Sequence, residues 1–181
     1  IAVDAGYEVA VQNKIVPNIL IGDWDSCKMP NVPVETITLP KEKDDTDTYF
    51  AAKWAIKNGF KNILIFGALG GRLDHSFANL QTLLYIKKCG INCTLYGQGA
   101  VANMIFDNEK IELVPHKNFC FSLFAFDCDA TGVSIENAKY PLREATITTD
   151  FPIGISNEFT EDNAIISIKK GHLLILQNKV L

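Results

Sequence analysis

The order of its hydrophobic patterns is the feature that most limits what this chain can fold into. Up to Gly97, short apolar stretches alternate with stretches of helical spacing, and after it only short β-rich runs follow. Alternating strands and helices predict a Rossmann-like, mostly parallel sheet with helices on both faces. Successive short β-rich runs predict an antiparallel β-sandwich. We therefore expect an α/β domain over residues 1–98 and a β-sandwich over residues 99–181.

Three of the predicted strands end in loops that carry carboxylates or glycines. The apolar residues 19–21 run into Gly22 and Asp23, residues 34–39 precede the acidic stretch 43–48, and residues 61–66 precede the glycine-rich stretch 67–75. Ligands of open α/β sheets gather at the carboxyl ends of the strands. We therefore expect the side chains of these loops to share one crevice. Its candidate members are Asp4, Asp23, Asp25, Asp44, Asp47, Arg72 and Asp74.

The first loop places two carboxylates, Asp23 and Asp25, two residues apart. In extended backbone, such residues point to the same side and can converge on one point. Two like charges that close repel each other unless a cation lies between them. Mg²⁺ takes oxygen ligands and commonly uses one or two protein carboxylates with phosphate oxygens and water. The alternative is an ordinary surface turn, because Asp, Gly and Ser are turn residues.

The other two loops also allow a structural and a ligand-binding interpretation. Asp44, Asp45 and Thr46 can cap a helix N-terminus, and the carboxylates can equally be ligands. Gly70-Gly71 can form a simple turn or present backbone N–H groups to a phosphate, although the Walker A ending is absent. Arg72 is either a solvated side chain or a bidentate phosphate donor. An excess of carboxylates at a phosphate site requires a metal, so the residues indicate a Mg²⁺-dependent site for a nucleoside polyphosphate.

Composition excludes several other classes of protein. The net charge is −4, with 17 basic and 21 acidic residues and no basic block, which argues against binding to nucleic acid. Hydrophobic residues make up 48% of the chain and predict a folded protein, yet no apolar run approaches the roughly 18 residues of a membrane helix. The five cysteines form no CxxC pair, and no signal peptide is visible. These features predict reduced thiols and a cytoplasmic location.

Five motifs together resemble the thiamine pyrophosphokinase (thiamine diphosphokinase) family over nearly the whole chain. They are Gly22-Asp23-Trp24-Asp25-Ser26, Lys43-Asp44-Asp45-Thr46-Asp47, residues 67–75, Lys139-Tyr140-Pro141-Leu142 and Gly154-Ile155-Ser156-Asn157-Glu158-Phe159. The resemblance implies transfer of a diphosphate group from ATP to the hydroxyl of thiamine, with release of AMP. It also implies an α/β domain, a C-terminal β-sandwich and a homodimer with its sites between subunits.

Roles carry over from the family to the matching positions. The resemblance implies that Asp23, Asp25 and Asp47 bind Mg²⁺, and that Ser156 and Asn157 lie near the thiamine pyrimidine. It implies contact with ATP for Asp4, Asp44, Thr46, Arg72, Asp74 and His75. The expected catalytic set is Asp23, Asp25, Asp47, Arg72 and Asp74, in which Arg72 stabilises charge on the phosphates. Asp74 is a candidate to orient or deprotonate the thiamine hydroxyl.

The chain departs from the family pattern at several points, and rival functions stay open. The family's first strand and helix are absent ahead of Ile1, so we expect an N-terminal segment outside this sequence. Trp24 stands where Phe is common, and Asn137-Ala138 replaces the usual Gly-Leu. One rival is a Mg²⁺-dependent diphosphokinase or nucleotidyltransferase acting on another alcohol. The other is a non-catalytic nucleotide- or thiamine-binding module, against which the retained carboxylates and Arg72 argue.

Overall fold

The computed structural model describes residues 1–24, 29–42, 44–160 and 162–180. Within these residues the chain has three helices and thirteen strands. The helices are α1 (Gly6–Gln12), α2 (Asp47–Lys57) and α3 (Leu73–Lys88). The strands are β1 (Ala2–Val3), β2 (Ile19–Gly22), β3 (Glu35–Thr38), β4 (Asn62–Leu69), β5 (Asn92–Gly97), β6 (Ala100–Ile105), β7 (Lys110–Leu113), β8 (Phe119–Ala125), β9 (Ala130–Glu136), β10 (Leu142–Ile147), β11 (Gly154–Glu158), β12 (Ala164–Ser167) and β13 (Leu173–Lys179).

The first compact unit, Ile1–Ile63, contains a three-stranded parallel sheet in the order β1-β2-β3. Ala2 lies opposite Leu20, and Ile19 lies opposite Glu35. Strand β2 is buried along its whole length, as expected for a central strand of a parallel sheet. Helix α2 contacts both β1 and β2. The sheet therefore brings the C-terminal ends of β1 and β2 to one edge, close to the start of α2.

Helix α2 begins where the sequence contains a capping residue. The Oγ1 atom of Thr46 accepts a hydrogen bond from the N–H of Tyr49 at 3.1 Å, which satisfies one of the free donors of the first turn. The buried face of the helix consists of Ala51, Ala52 and Ala55. The helix is followed by Gly59, whose φ of 84° suits a glycine after a helix C-terminus. These local signals fix where Asp47, the first helical residue, projects.

The second compact unit, Leu64–Leu181, contains two sheets that share a hydrophobic core. The six-stranded sheet has the order β11-β8-β13-β6-β5-β4, and the four-stranded sheet has the order β10-β9-β12-β7. Phe121 and Ile175 from the first sheet and Val133 and Ile166 from the second are fully buried in this core. In the second half of β9, the buried Val133 and Ile135 alternate with the less buried Ser134 and Glu136, as expected for a strand with one face in the core.

The chain is an α/β protein, but its parallel sheet is smaller than the sequence predicted. Strands β4 and β5, which we expected in the parallel sheet, lie in the six-stranded sheet instead. For β5, the reason is the short turn after Gly97, which makes β5 and β6 an antiparallel hairpin with Tyr96 opposite Val101. A parallel neighbour would need a crossover of a dozen or more residues. The expected domain boundary at residues 98–99 falls in this turn.

No helix in the described part of the chain has the length and apolar character needed to cross a membrane.

Candidate active site

Three carboxylates from separate stretches of the sequence meet in the first unit. Asp4 follows β1, Asp23 follows β2, and Asp47 is the first residue of α2. One carboxylate oxygen from each lies within 4.8 Å of the other two, and all three residues are partly buried. We call these three residues the carboxylate cluster. Its hard oxygen donors are those that Mg²⁺ prefers, so the side chains present fit such an ion.

Asp4 reaches the cluster through an unusual backbone conformation. Its φ is 44°, in the left-handed region, and its N–H donates to the carbonyl of Ile21 at 3.0 Å. The side chain lies directly against Gly22, because a Cβ atom at that position would be 2.0 Å from the Oδ1 atom of Asp4. This Oδ1 is buried and makes no hydrogen bond. Gly22 is therefore required by the approach of the Asp4 carboxylate.

The pKa of Asp4 is raised from its ordinary value of 3.8 to about 6. Burial is the largest cause, followed by the hydrogen bond and charge of Asp47, and the charge of Asp23 adds to them. A backbone N–H, that of Trp24, acts in the opposite direction. Burial and the two neighbouring carboxylates therefore both disfavour a negative charge on Asp4.

The remaining residues of the two acidic loops have separate positions. Asp25 and Lys43 lie outside the described residues. Asp44 is exposed. Asp45 forms an ion pair with Lys53 of α2, which agrees with the structural interpretation of this segment. Thr46 serves as the N-cap of α2.

Arg72, Asp74 and His75 form a second group, at the start of α3 in the second unit. The Arg72 guanidinium donates two hydrogen bonds to the Asp74 carboxylate, from Nε at 3.1 Å and from the second terminal nitrogen at 2.6 Å. The backbone N–H of His75 donates to the same carboxylate at 2.9 Å. The pairing with Arg72 lowers the pKa of Asp74 to about 2 and raises that of Arg72. Asp74 is therefore a permanent anion and a poor proton acceptor at neutral pH.

Two residues that the sequence reasoning missed hold the glycine loop in place. The hydroxyl of Ser76 accepts from the N–H of Gly70 at 3.2 Å and lies 3.1 Å from the carbonyl oxygen of the same residue. The Nδ2 atom of Asn79 donates to the carbonyl of Ala68 at 2.8 Å. Both residues lie in the first two turns of α3. Polar side chains so close to the glycine loop are the sequence feature that could have identified them. With φ values of 104° and 63°, Gly70 and Gly71 adopt left-handed conformations.

The second unit also contains a cleft of about 690 Å³ around β11. Its lining includes Ser156, Glu158, Phe159, Phe119 and His116. Ser156 lies at an irregularity in the pairing of β11 with β8 and has a φ of 57°. Such bulges redirect side chains and are frequent beside functional sites. The structure thus places Ser156 at the cleft.

Asn157, the other residue expected near thiamine, has a different environment. It is 4% exposed and does not line the cleft. Its side-chain amide bonds to the backbone of Tyr140 and of Glu158.

Both halves of the chain match domain models of one known protein family. Residues 1–95 match the model of the thiamin pyrophosphokinase catalytic domain. Residues 108–173 match the model of the thiamin pyrophosphokinase vitamin B1 binding domain. The catalytic-domain match contains the carboxylate cluster and Arg72, and the second match contains Ser156.

Individual relatives agree with the family models. A thiamine pyrophosphokinase of Bacillus subtilis (strain 168) is 30% identical over 185 residues, covering 98% of this chain and 86% of the relative. The crystal structure of the Bacillus subtilis protein matches 99% of this chain and 86% of its own with a TM-score of 0.89 at 28% identity. The Geobacillus thermodenitrificans structure matches 98% of this chain and 84% of its own with a TM-score of 0.83 at 26% identity. This chain therefore belongs to the thiamine pyrophosphokinase family.

Proposed function

We propose that this protein transfers a diphosphate group from ATP to the hydroxyl of thiamine, giving thiamine diphosphate and AMP. The observation that carries the proposal is the carboxylate cluster, in a chain whose halves match the catalytic and the vitamin B1 binding domains of one family. Hard oxygen ligands suit a magnesium–nucleotide complex. We further propose that residues 1–98 form the ATP-binding domain and residues 99–181 the thiamine-binding domain.

Asp4, Asp23 and Asp47 would hold Mg²⁺, with Asp25 as the further ligand that the sequence predicts. Asp4 was expected beside ATP, and its position in the cluster supports a role in metal binding instead. When bound, the ion supplies positive charge that neutralises the phosphate oxygens. The three carboxylates orient it, and Gly22 leaves room for the Asp4 carboxylate.

The second group of residues acts on the phosphates and the hydroxyl. Arg72 donates to phosphate oxygens and stabilises the charge that develops on them. The N–H groups of the loop at Gly70-Gly71 offer further donors, and we place Asp44, Thr46 and His75 at the nucleotide as well. Asp74 orients the hydroxyl by accepting its hydrogen bond. An aspartate carboxylate is a weak base even when Arg72 has moved to the phosphates, so the proton passes to solvent.

The reaction is an in-line displacement at the β-phosphorus. The bond from the thiamine oxygen to the β-phosphorus forms while the bond from that phosphorus to the bridging α–β oxygen breaks. AMP leaves with the electron pair. Positioning and charge neutralisation account for most of the rate in transfers of this kind.

The cleft around Ser156 is the proposed thiamine site, and a second copy of the chain would complete it. A small cationic aromatic substrate needs an enclosing pocket, whereas this cleft is open to solvent in one chain. We therefore propose a homodimer. Among the described residues, Cys89, Cys93, Cys120 and Cys128 are free thiols, which supports the proposed cytoplasmic location.

Phosphorus NMR of the protein with MgATP and thiamine tests the function in one tube. We expect thiamine diphosphate and AMP in equal amounts. Thiamine monophosphate with ADP would show attack at the γ-phosphorus and contradict the proposal. Turnover with another alcohol but not with thiamine would favour the first rival, and binding of thiamine without turnover would favour the binding module.

A further inference from the structure

Asn157 uses its side-chain amide to hold the backbone of another segment. Its Oδ1 atom accepts from the N–H of Tyr140 at 3.0 Å, and its Nδ2 atom donates to the carbonyl of Tyr140 at 2.7 Å. The same Oδ1 also accepts from the N–H of Glu158 at 2.9 Å. Both acceptor positions of the oxygen are therefore occupied, and the side chain is almost completely buried. This arrangement leaves Asn157 little capacity to contact a substrate.

The segment that Asn157 holds is the turn of residues 138–141, which joins β9 to β10. Ala138 bridges to Phe159, and the N–H of Lys139 donates to the carbonyl of Glu158 at 3.0 Å. The Nζ atom of Lys139 also lies 2.7 Å from the Oε1 atom of Glu158. Glu158 and Phe159 both line the cleft, so these contacts attach the turn to the cleft wall beside the hydrogen bonds of the Asn157 amide.

The turn also carries an exposed aromatic side chain. Tyr140 is 55% exposed, and the Nζ atom of Lys139 lies 5.4 Å from the centre of its ring. Ser156, the residue before Asn157 in β11, also donates from its N–H to the Oγ of Ser122 at 3.0 Å. Its peptide bond to Asn157 links the Ser156 bulge to the residue that holds the turn.

We propose that Asn157 is a positioning residue for thiamine, acting through the backbone of Tyr140 and not by contact with the substrate. The inference rests on the proposed thiamine site in the cleft. The amide fixes the turn of residues 138–141 against β11, so that Ser156 and Glu158 keep their places in the cleft wall. The role depends on the geometry of one carboxamide that faces both a peptide N–H and a peptide carbonyl.

The test is the variant Asn157→Asp, which keeps the shape and replaces the donor by an oxygen. When the introduced carboxyl is ionised, this oxygen would lie about 2.7 Å from the Tyr140 carbonyl oxygen, where the two acceptors repel. At pH 8 we expect the thiamine KM to rise by about tenfold, while kcat and the ATP KM stay within about twofold of the wild type. When the introduced carboxyl is protonated it can donate again, so the ratio of variant to wild-type thiamine KM should fall towards one near about pH 6.

Two control variants separate positioning from simple loss of stability. Val133→Ala opens a cavity in the shared core without touching the turn, and it should lower stability but leave the thiamine KM unchanged. Tyr140→Phe keeps both hydrogen bonds between the residue 140 backbone and Asn157. Adding Asn157→Asp to this variant should therefore raise the thiamine KM at pH 8, relative to Tyr140→Phe alone, as much as it does in the wild type.

Three results would overturn the inference. They are an unchanged thiamine KM in Asn157→Asp, a raised KM whose ratio to wild type is the same at both pH values, and an equal rise in Val133→Ala. Absence of turnover by the wild type would instead contradict the proposed function. In that case the same ratios, measured as thiamine dissociation constants by calorimetry, still decide the role of Asn157.

Discussion

Removing one charge from the carboxylate cluster should stabilise the metal-free protein. The change is Asp4→Asn, which keeps the shape of a side chain whose partners lie within 4.8 Å. Two unit charges at this separation repel by roughly 1 kcal/mol in water and by about 3–4 kcal/mol at an effective dielectric constant of 20. Because Asp4 is only partly buried, solvent screening favours the lower figure. We expect the variant to unfold with a free energy about 1 kcal/mol higher than wild type at pH 8.

The sign of the effect depends on pH. The pKa of Asp4 is raised from 3.8 to about 6 in the folded protein, so the folded state binds the proton more tightly than the unfolded state. The free energy of unfolding of the wild type therefore falls as pH rises from 3.8 towards 6. Above that range, Asp4 contributes no further change with pH. Below 3.8 the carboxyl is protonated in both states, and the stabilisation by Asn disappears.

Urea unfolding of the metal-free protein measures this difference. Both tryptophans, Trp24 and Trp54, lie in the unit that contains the cluster, and their fluorescence reports its unfolding. Mg²⁺ should stabilise the wild type more than Asp4→Asn. The difference in free energy of unfolding between the two proteins should therefore become smaller or change sign. Glu35→Gln, an exposed change on β3 outside the cluster, is the matched control. A metal-free Asp4→Asn protein that is less stable than wild type at pH 8 would refute the electrostatic reasoning.

Four further outcomes follow from the described geometry. Gly22→Ala would put a Cβ atom 2.0 Å from the Oδ1 of Asp4, so calorimetry should show weaker Mg²⁺ binding, and an unchanged affinity would contradict the close approach. Asp74→Asn should lower kcat without moving the pH midpoints of the rate profile between about 5 and 9, because Asp74 has a pKa of about 2; a shifted midpoint would restore it as the base. Phe121→Ala should lower the free energy of unfolding by about 3–5 kcal/mol in urea titration, and a loss below 1 kcal/mol would argue against its place in the core. Sedimentation at micromolar concentration should show a dimer, and a fully active monomer would contradict the proposed assembly.

The residues that sequence reasoning placed well are those governed by local rules. Thr46 was among the candidate N-caps, and it caps α2 in the structure because a short hydroxyl side chain suits that position. The buried strand at residues 19–21 was visible as an apolar run that ends in glycine. Asp23 and Asp47 follow directly from these two boundaries.

The features that were missed depend on contacts between distant residues. Strand β9 was not predicted, since Gly132 interrupts its pattern; its φ of 67° and the Lys169 side chain packed against it explain the glycine. The sequence placed Asp4 in the shared crevice, but not the left-handed conformation beside Gly22 through which it reaches the carboxylate cluster. The amide of Asn157 bonds to a residue 17 positions away, a relationship that no local spacing reveals.

The pairing of Arg72 with Asp74 makes phosphate binding an exchange of partners. In the free protein the guanidinium already satisfies the carboxylate, so neither charge acts fully on an approaching ligand. A phosphate that takes up the guanidinium releases the carboxylate at the same moment. Arrival of the nucleotide would then create the hydrogen-bond acceptor that the second substrate's hydroxyl requires, which couples the order of substrate binding to a single ion pair.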